Sequence, residues 1–79
     1  EFIREVLPMP LTIIQPGRRV RLVAVDAGHG LQGQLTAMGL VPGVEIEVLQ
    51  NSFRGPFIIA VKGSRIMLGR GMAQKIVVE

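Results

Sequence analysis

The sequence predicts a mainly β domain, a small closed barrel of five strands with one short helix inserted after the first strand. Three observations carry that expectation. Val, Ile, Leu and Met must fill the interior, because 48% of residues are hydrophobic while Phe2, Phe53 and Phe57 are the only aromatics, and β-branched side chains favour strands. Ten glycines and five prolines in 79 residues leave little room for long helices. Between these breakers lie segments of strand length whose apolar residues alternate with polar ones or run together.

Each element follows from local pattern. Pro16-Gly17 makes a turn, and Arg19–Val25 alternates before becoming wholly apolar, which predicts the first strand with Val20, Leu22 and Ala24 facing inward. Over 30–38 the period changes: Leu31, Leu35 and Met38 recur at i, i+4 and i+7 and share one helical face. Gly39 can take the left-handed conformation that ends a helix, and Pro42 prevents a restart. A helix of two turns is unstable alone, so one face must pack and Leu35 and Met38 are expected in the core.

Pro42-Gly43 turns the chain again. Residues 44–49 then alternate, with Val44, Ile46 and Val48 on one side and the solvated Glu45 and Glu47 on the other. Residues 51–56 form a polar loop, Phe57–Val61 a third strand, Lys62-Gly63-Ser64 a tight hairpin turn, 65–68 a fourth strand and 75–78 a fifth. The connections are too short for parallel crossovers. Closure into a barrel would remove the exposed edges that threaten a chain this rich in β-branched residues.

Size and composition exclude several classes. A domain this small buries only about 60% of its unfolded surface, so the core must be simple and dense. No cysteine is present, so disulfides and thiolate ligands are excluded and a reducing cytosol suits the chain. No apolar run approaches the roughly 18 residues of a membrane span. Residues 1–9 lack the basic start and apolar stretch of a signal peptide, and a cytoplasmic protein is expected. Glu1 cannot initiate translation and Met9 opens a natural-looking start. Residues 1–8 therefore read as a cloning remnant or an N-terminal extension, with the domain at 9–79. Phe2, Ile3, Val6 and Leu7 could dock on a neighbour and give weak self-association.

Reactive chemistry is sparse. Acid–base and nucleophilic catalysis need converging groups, and the chain has one histidine. His29, three residues after Asp26, is the weak candidate for a metal ligand, with Asp26 or Glu45 as its companion; sets of three or four ligands are usual. Gly28, Gly30 and Gly33 lie between strand and helix but lack the following Lys-Ser or Lys-Thr of a phosphate loop. No catalytic residue and no cofactor is expected. Nine Lys and Arg against six Asp and Glu give a net charge of +3, scattered except at Arg18, Arg19 and Arg21. With neither Tyr nor Trp, base stacking and a proline-peptide groove both lack their aromatic walls. Nucleic acid is not expected as a partner.

Several motifs together resemble the FeoA family. They are L-x-x-M-G-L-x-P-G from Leu35 to Gly43, L-x-x-I-x-P-G from Leu11 to Gly17, Gly55-Pro56-Phe57, Val61-Lys62-Gly63, Ile66-Met67-Leu68, and Ala73-x-x-Ile76-x-Val78. Met67 departs from the usual small alanine, and Gly69-Arg70-Gly71-Met72 from a stretch often charged and helical, which puts a last helical turn in doubt and makes Met72 a candidate for exposure. The resemblance implies an SH3-like barrel that serves as a non-enzymatic cytosolic accessory subunit of bacterial ferrous iron transport, beside the FeoB membrane transporter with its G-protein domain. It also implies kinship with the C-terminal domains of DtxR-type metal-dependent repressors, so a metal-sensing domain is the alternative. Candidate partner-binding residues are Leu31, Met38, Leu40 and Val41 around the helix end, with Phe53 and Phe57 around the 51–56 loop. An RNA-binding barrel using Arg18, Arg19, Arg21, Arg65 and Arg70 would show steep salt dependence.

Overall fold

Two Pro-Gly turns fix where the chain reverses. Arg18 N–H donates to the Gln15 carbonyl at 3.2 Å, and Val44 N–H to the Val41 carbonyl at 3.1 Å. Gly17 and Gly43 stand at φ +91° and +92°, the left-handed third position that a type II turn requires after its proline. Each glycine then donates its own N–H to a neighbouring strand, Gly17 to the Val48 carbonyl at 2.8 Å and Gly43 to the Leu22 carbonyl at 2.7 Å. The turns therefore set register as well as direction.

The computed structural model describes residues 7–79. Its elements are β1 (Met9–Pro10), a 3-10 turn (Leu11–Ile13), β2 (Arg19–Val25), α1 (His29–Ala37), β3 (Glu45–Asn51), β4 (Phe57–Val61), β5 (Ser64–Leu68), α2 (Arg70–Ala73) and β6 (Ile76–Val78). All pairings are antiparallel, in the order β1-β6-β2-β3-β4-β5. β2 joins two ladders: Arg19, Val20 and Arg21 pair with β3, whereas Leu22, Ala24 and Val25 pair with β6.

The strands and helix expected between residues 19 and 78 all form, with three corrections. The described residues hold six strands, because the two-residue β1 adds to β6 across Met9↔Val78 and Pro10↔Val77; a segment so short, ending in proline, carries no alternation to reveal it. The sheet is not closed by hydrogen bonds, since β1 and β5 end the strand order without pairing to each other. The 3-10 turn and the one-turn helix α2 pack together, burying Leu11 and Ala73 completely, so helical turns cover core that a closing ladder would otherwise cover. Finally, Ala24 is exposed rather than inward. The β2–β6 register slips between Leu22 and Ala24, and such a bulge reverses the side-chain alternation beyond it.

The core collects one face of β3 (Ile46, Val48), β4 (Phe57, Ile59), β6 (Ile76, Val78) and Leu22 of β2, with Leu11, Leu35 and Leu40 from the connections, all at most 2% exposed. No buried side chain among the described residues is polar or charged, so apolar area and backbone ladders hold the domain together. The hairpin between β4 and β5 turns through Lys62 at φ +51° and Gly63 at φ +81°, the two-residue geometry whose twist matches its strands. The expected docking of Phe2, Ile3 and Val6 lies outside the described residues; Leu7 is exposed.

Glycine substitutions should separate turn requirements from helix propensity. Gly39 stands at φ +91°, while Gly33 lies inside α1, where an alanine Cβ would meet nothing within 4 Å beyond its chain neighbours and the helix's own backbone. Gly39→Ala is expected to cost about 1 kcal/mol, lowering Tm by roughly 4–8 °C. Gly33→Ala is expected to raise stability by about 0.5–1 kcal/mol. Thermal denaturation followed by circular dichroism checks both signs.

Candidate docking surface

The end of α1 decides which of its candidate residues face outward. Gly39 N–H donates to the Thr36 carbonyl at 3.0 Å, and Leu40 N–H reaches back to the Leu35 carbonyl at 2.9 Å. This pair of bonds is the glycine-terminated helix end in which the two residues flanking the motif also meet as apolar partners. Leu35 is fully buried and Leu40 is 1% exposed. Leu40 is therefore a core residue, and its expected use as a contact surface is corrected by its role in anchoring the helix. Met38, both a contact candidate and expected to help bury the helical face, is 40% exposed, because it is the capping residue at φ −88°, ψ 2° and has left that face. Leu31 and Val41 are partly buried against the core.

The second candidate region is the 51–56 loop, where the two phenylalanines separate. Phe57 starts β4 and is fully buried, so its expected surface role is likewise corrected; Phe53 is 85% exposed. Asn51 fixes the loop's base. Its side-chain amide donates to the Thr12 carbonyl at 3.0 Å and the Ile14 carbonyl at 2.8 Å, satisfying one carbonyl of the 3-10 turn and that of the residue just after it. Its Oδ1 accepts from Arg70 Nη2 at 2.6 Å, and Arg70 Nε donates to the Phe53 carbonyl at 3.3 Å. The guanidinium carbon lies 5.9 Å from the centre of the Phe57 ring, within the range of a cation–π contact. Gly55 permits the tight loop, since a Cβ there would stand 2.9 Å from Ser52 Cβ.

Sequence patterns give no sign of this polar clamp. Asn51 reads as the first residue of a polar loop, and nothing in spacing links it to Thr12 or Arg70. The doubtful last helical turn does form as α2, and Met72 is partly buried against the core. Met67 is 69% exposed on β5, an end strand of the sheet.

The remaining candidates do not converge. His29, at the start of α1, and Asp26 are both exposed, and no group of three or more His, Asp or Glu side chains stands together among the described residues. On the strands, Arg19 lies opposite Glu47 and Arg21 opposite Glu45; Arg19 Nε is 3.7 Å from Glu47 Oε1, an exposed pair worth a few tenths of a kcal/mol. Two of the candidate RNA-contacting arginines thus face carboxylates across a ladder, while Arg70 turns towards Asn51. No helix of the described residues is long and apolar enough to cross a membrane.

The protein is a small antiparallel β domain with exposed apolar side chains on a braced loop and at a helix end. The FeoA domain model matches residues 9–79, and the chain belongs to the FeoA family. It is 43% identical over 70 residues to a protein of Methanocaldococcus jannaschii provisionally named Fe(2+) transport protein A, covering 89% of this chain and 84% of that one. It matches the crystal structure of an iron uptake regulatory protein (FeoA) with a TM-score of 0.83 at 36% identity, over 94% of this chain and 97% of the other. A manganese-dependent transcriptional repressor shares the fold, with a TM-score of 0.83 at 20% identity, over 96% of this chain and 43% of that one.

Replacing Asn51 by alanine should release two carbonyl acceptors and unfasten Arg70. The expected cost is about 2 kcal/mol, since each partly buried group left unsatisfied costs on the order of 1–3 kcal/mol. Phe53→Ser, on an exposed side chain, should stay within about 0.5 kcal/mol of wild type. Urea unfolding midpoints distinguish the two.

Proposed function

We propose that this protein is a non-enzymatic accessory subunit of ferrous iron transport, working in the cytoplasm by docking on the cytosolic region of a FeoB-type membrane transporter. Membership of the FeoA family, together with similarity to a protein named for Fe(2+) transport, supports the pathway. The observation that carries the docking reading is Phe53. A phenylalanine 85% exposed gains nothing for the fold and leaves a large apolar surface in water, while the Asn51 and Arg70 bonds hold its loop in place. Aromatic side chains, phenylalanine among them, are enriched in protein interfaces. Met38 supplies a second exposed apolar position, with Leu31 and Val41 partly accessible beside the same helix.

The metal-sensing alternative draws only on the shared fold of the repressor. His29 and Asp26 would have to recruit further ligands, and none is grouped with them among the described residues. Ferrous iron is accordingly the transporter's cargo in this reading.

The test is equilibrium binding to the intact transporter in lipid nanodiscs, with GTP and GDP analogues present in turn. Phe53→Asp should weaken binding on the order of tenfold or more, as loss of an interface anchor does, and Met38→Asp should weaken it less. Leu40→Asp should unfold the domain, because it places a charge in the core. Wild-type affinity in both the Phe53 and Met38 variants would dismiss this surface, and no binding by the wild-type protein in either nucleotide state would dismiss the partner.

A further inference from the structure

Arg70 brings a permanent positive charge to a half-buried position at the start of α2, and no carboxylate among the described residues pairs with it. Its bonds are to neutral acceptors: Nη2 to Asn51 Oδ1 and Nε to the Phe53 carbonyl. A guanidinium has five N–H donors, so most of the fork, including both hydrogens of Nη1, is left for another acceptor. The side chain is also held from behind, with its charge over the Phe57 ring. Much of the rotamer freedom that an arginine normally loses on binding is therefore already lost.

In front of this group lies an open cleft of about 460 Å³ lined by Thr12, Phe53, Arg70 and Gln74. The Thr12 hydroxyl and the Gln74 amide make no side-chain hydrogen bond of their own within the described residues. One wall is thus polar and donor-rich, while Phe53 supplies an exposed apolar shelf. Planar bidentate acceptors are what a fixed arginine fork selects, and the aromatic shelf selects an apolar neighbour beside that acceptor.

We propose that the Thr12, Phe53, Arg70 and Gln74 cleft binds a side-chain or terminal carboxylate carried on an apolar segment of a protein partner. The assignment deepens the docking reading and rests on it for the identity of that partner, but the recognition chemistry can be measured without the transporter. The chain's net charge of +3 adds a general attraction for acidic surfaces. A nucleic-acid phosphate fits less well. Arg19 and Arg21 stand opposite Glu47 and Glu45, which removes the continuous basic stripe such a partner needs.

The experiment is an NMR titration of the full chain, at low salt, with an acetylated and amidated Leu-Glu-Phe-Glu peptide and with its glutamine counterpart. Saturable shifts are expected at the backbone amides of Phe53, Arg70 and Gln74, with the glutamine peptide about tenfold weaker or worse, as loss of a charge-assisted hydrogen bond implies. Phe53→Ser should weaken binding several-fold. Gln74→Glu, which puts a carboxylate in the cleft wall and leaves the Asn51–Arg70 contact untouched, should abolish binding of the acidic peptide. Arg70→Lys should weaken it although the charge is kept. Equal affinity for the glutamine peptide, shifts centred on Arg18, Arg19 and Arg21, or tighter saturable binding of a short oligothymidylate in the cleft would each overturn the proposal. Peptide binding without transporter binding would refute the transport partner and keep the cleft; transporter binding that ignores Gln74→Glu would do the reverse.

Discussion

The bond from Leu40 N–H back to the Leu35 carbonyl is the constraint on which the arrangement of the domain turns. It stops α1, drives two leucines into the core and points the chain at Pro42-Gly43, whose turn docks on Leu22 of β2. One backbone reversal therefore links the helix to the middle strand of the sheet. Gly39 makes it possible, because the left-handed conformation at φ +91° is cheap only without a Cβ. The same reversal pushes Met38 outward, so a folding device and an exposed apolar side chain arise from one local geometry.

The motifs that resemble the FeoA family turn out to be mainly a description of this core and its turns. Leu11 and Ile14, Leu35 and Leu40, Phe57, and Ala73, Ile76 and Val78 are all buried, and Gly17, Gly39, Gly43 and Gly63 all stand at positive φ. Such positions are legible because apolar periodicity and glycine punctuation are local. That is also why Leu40 and Phe57 mislead as contact residues: a motif residue is more readily explained by packing than by recognition. Strand positions are legible for the same reason, and Ala24 is the exception because a bulge is invisible until the partner strand is known. The open sheet is hidden too, since hydrogen-bond closure depends on how residues 9–13 and 70–73 meet.

The polar clamp around Asn51 is the least legible part. Asn51, Thr12, Ile14 and Arg70 are joined across as many as 39 residues of sequence, and each alone looks like an ordinary surface or strand-end residue. In a domain whose buried side chains are all apolar, this clamp supplies directional side-chain bonds that link β3, the 3-10 turn and α2. Hydrophobic burial is non-directional, so it can hold these segments together without fixing the angle of the loop between them. The hydrogen bonds add that angle.

In a chain that packs so much of its apolar content into one small core, an exposed aromatic forgoes the stabilisation that burial would bring. Phe53 bears that cost on a loop whose backbone carbonyl is itself tied to Arg70. The Phe53 loop and the Arg70 charge beside it are therefore coupled: loosening the Asn51 clamp would free both together. The loop is thus fixed by only a handful of bonds, in a domain with no cysteine and no group of three or more His, Asp or Glu side chains among its described residues.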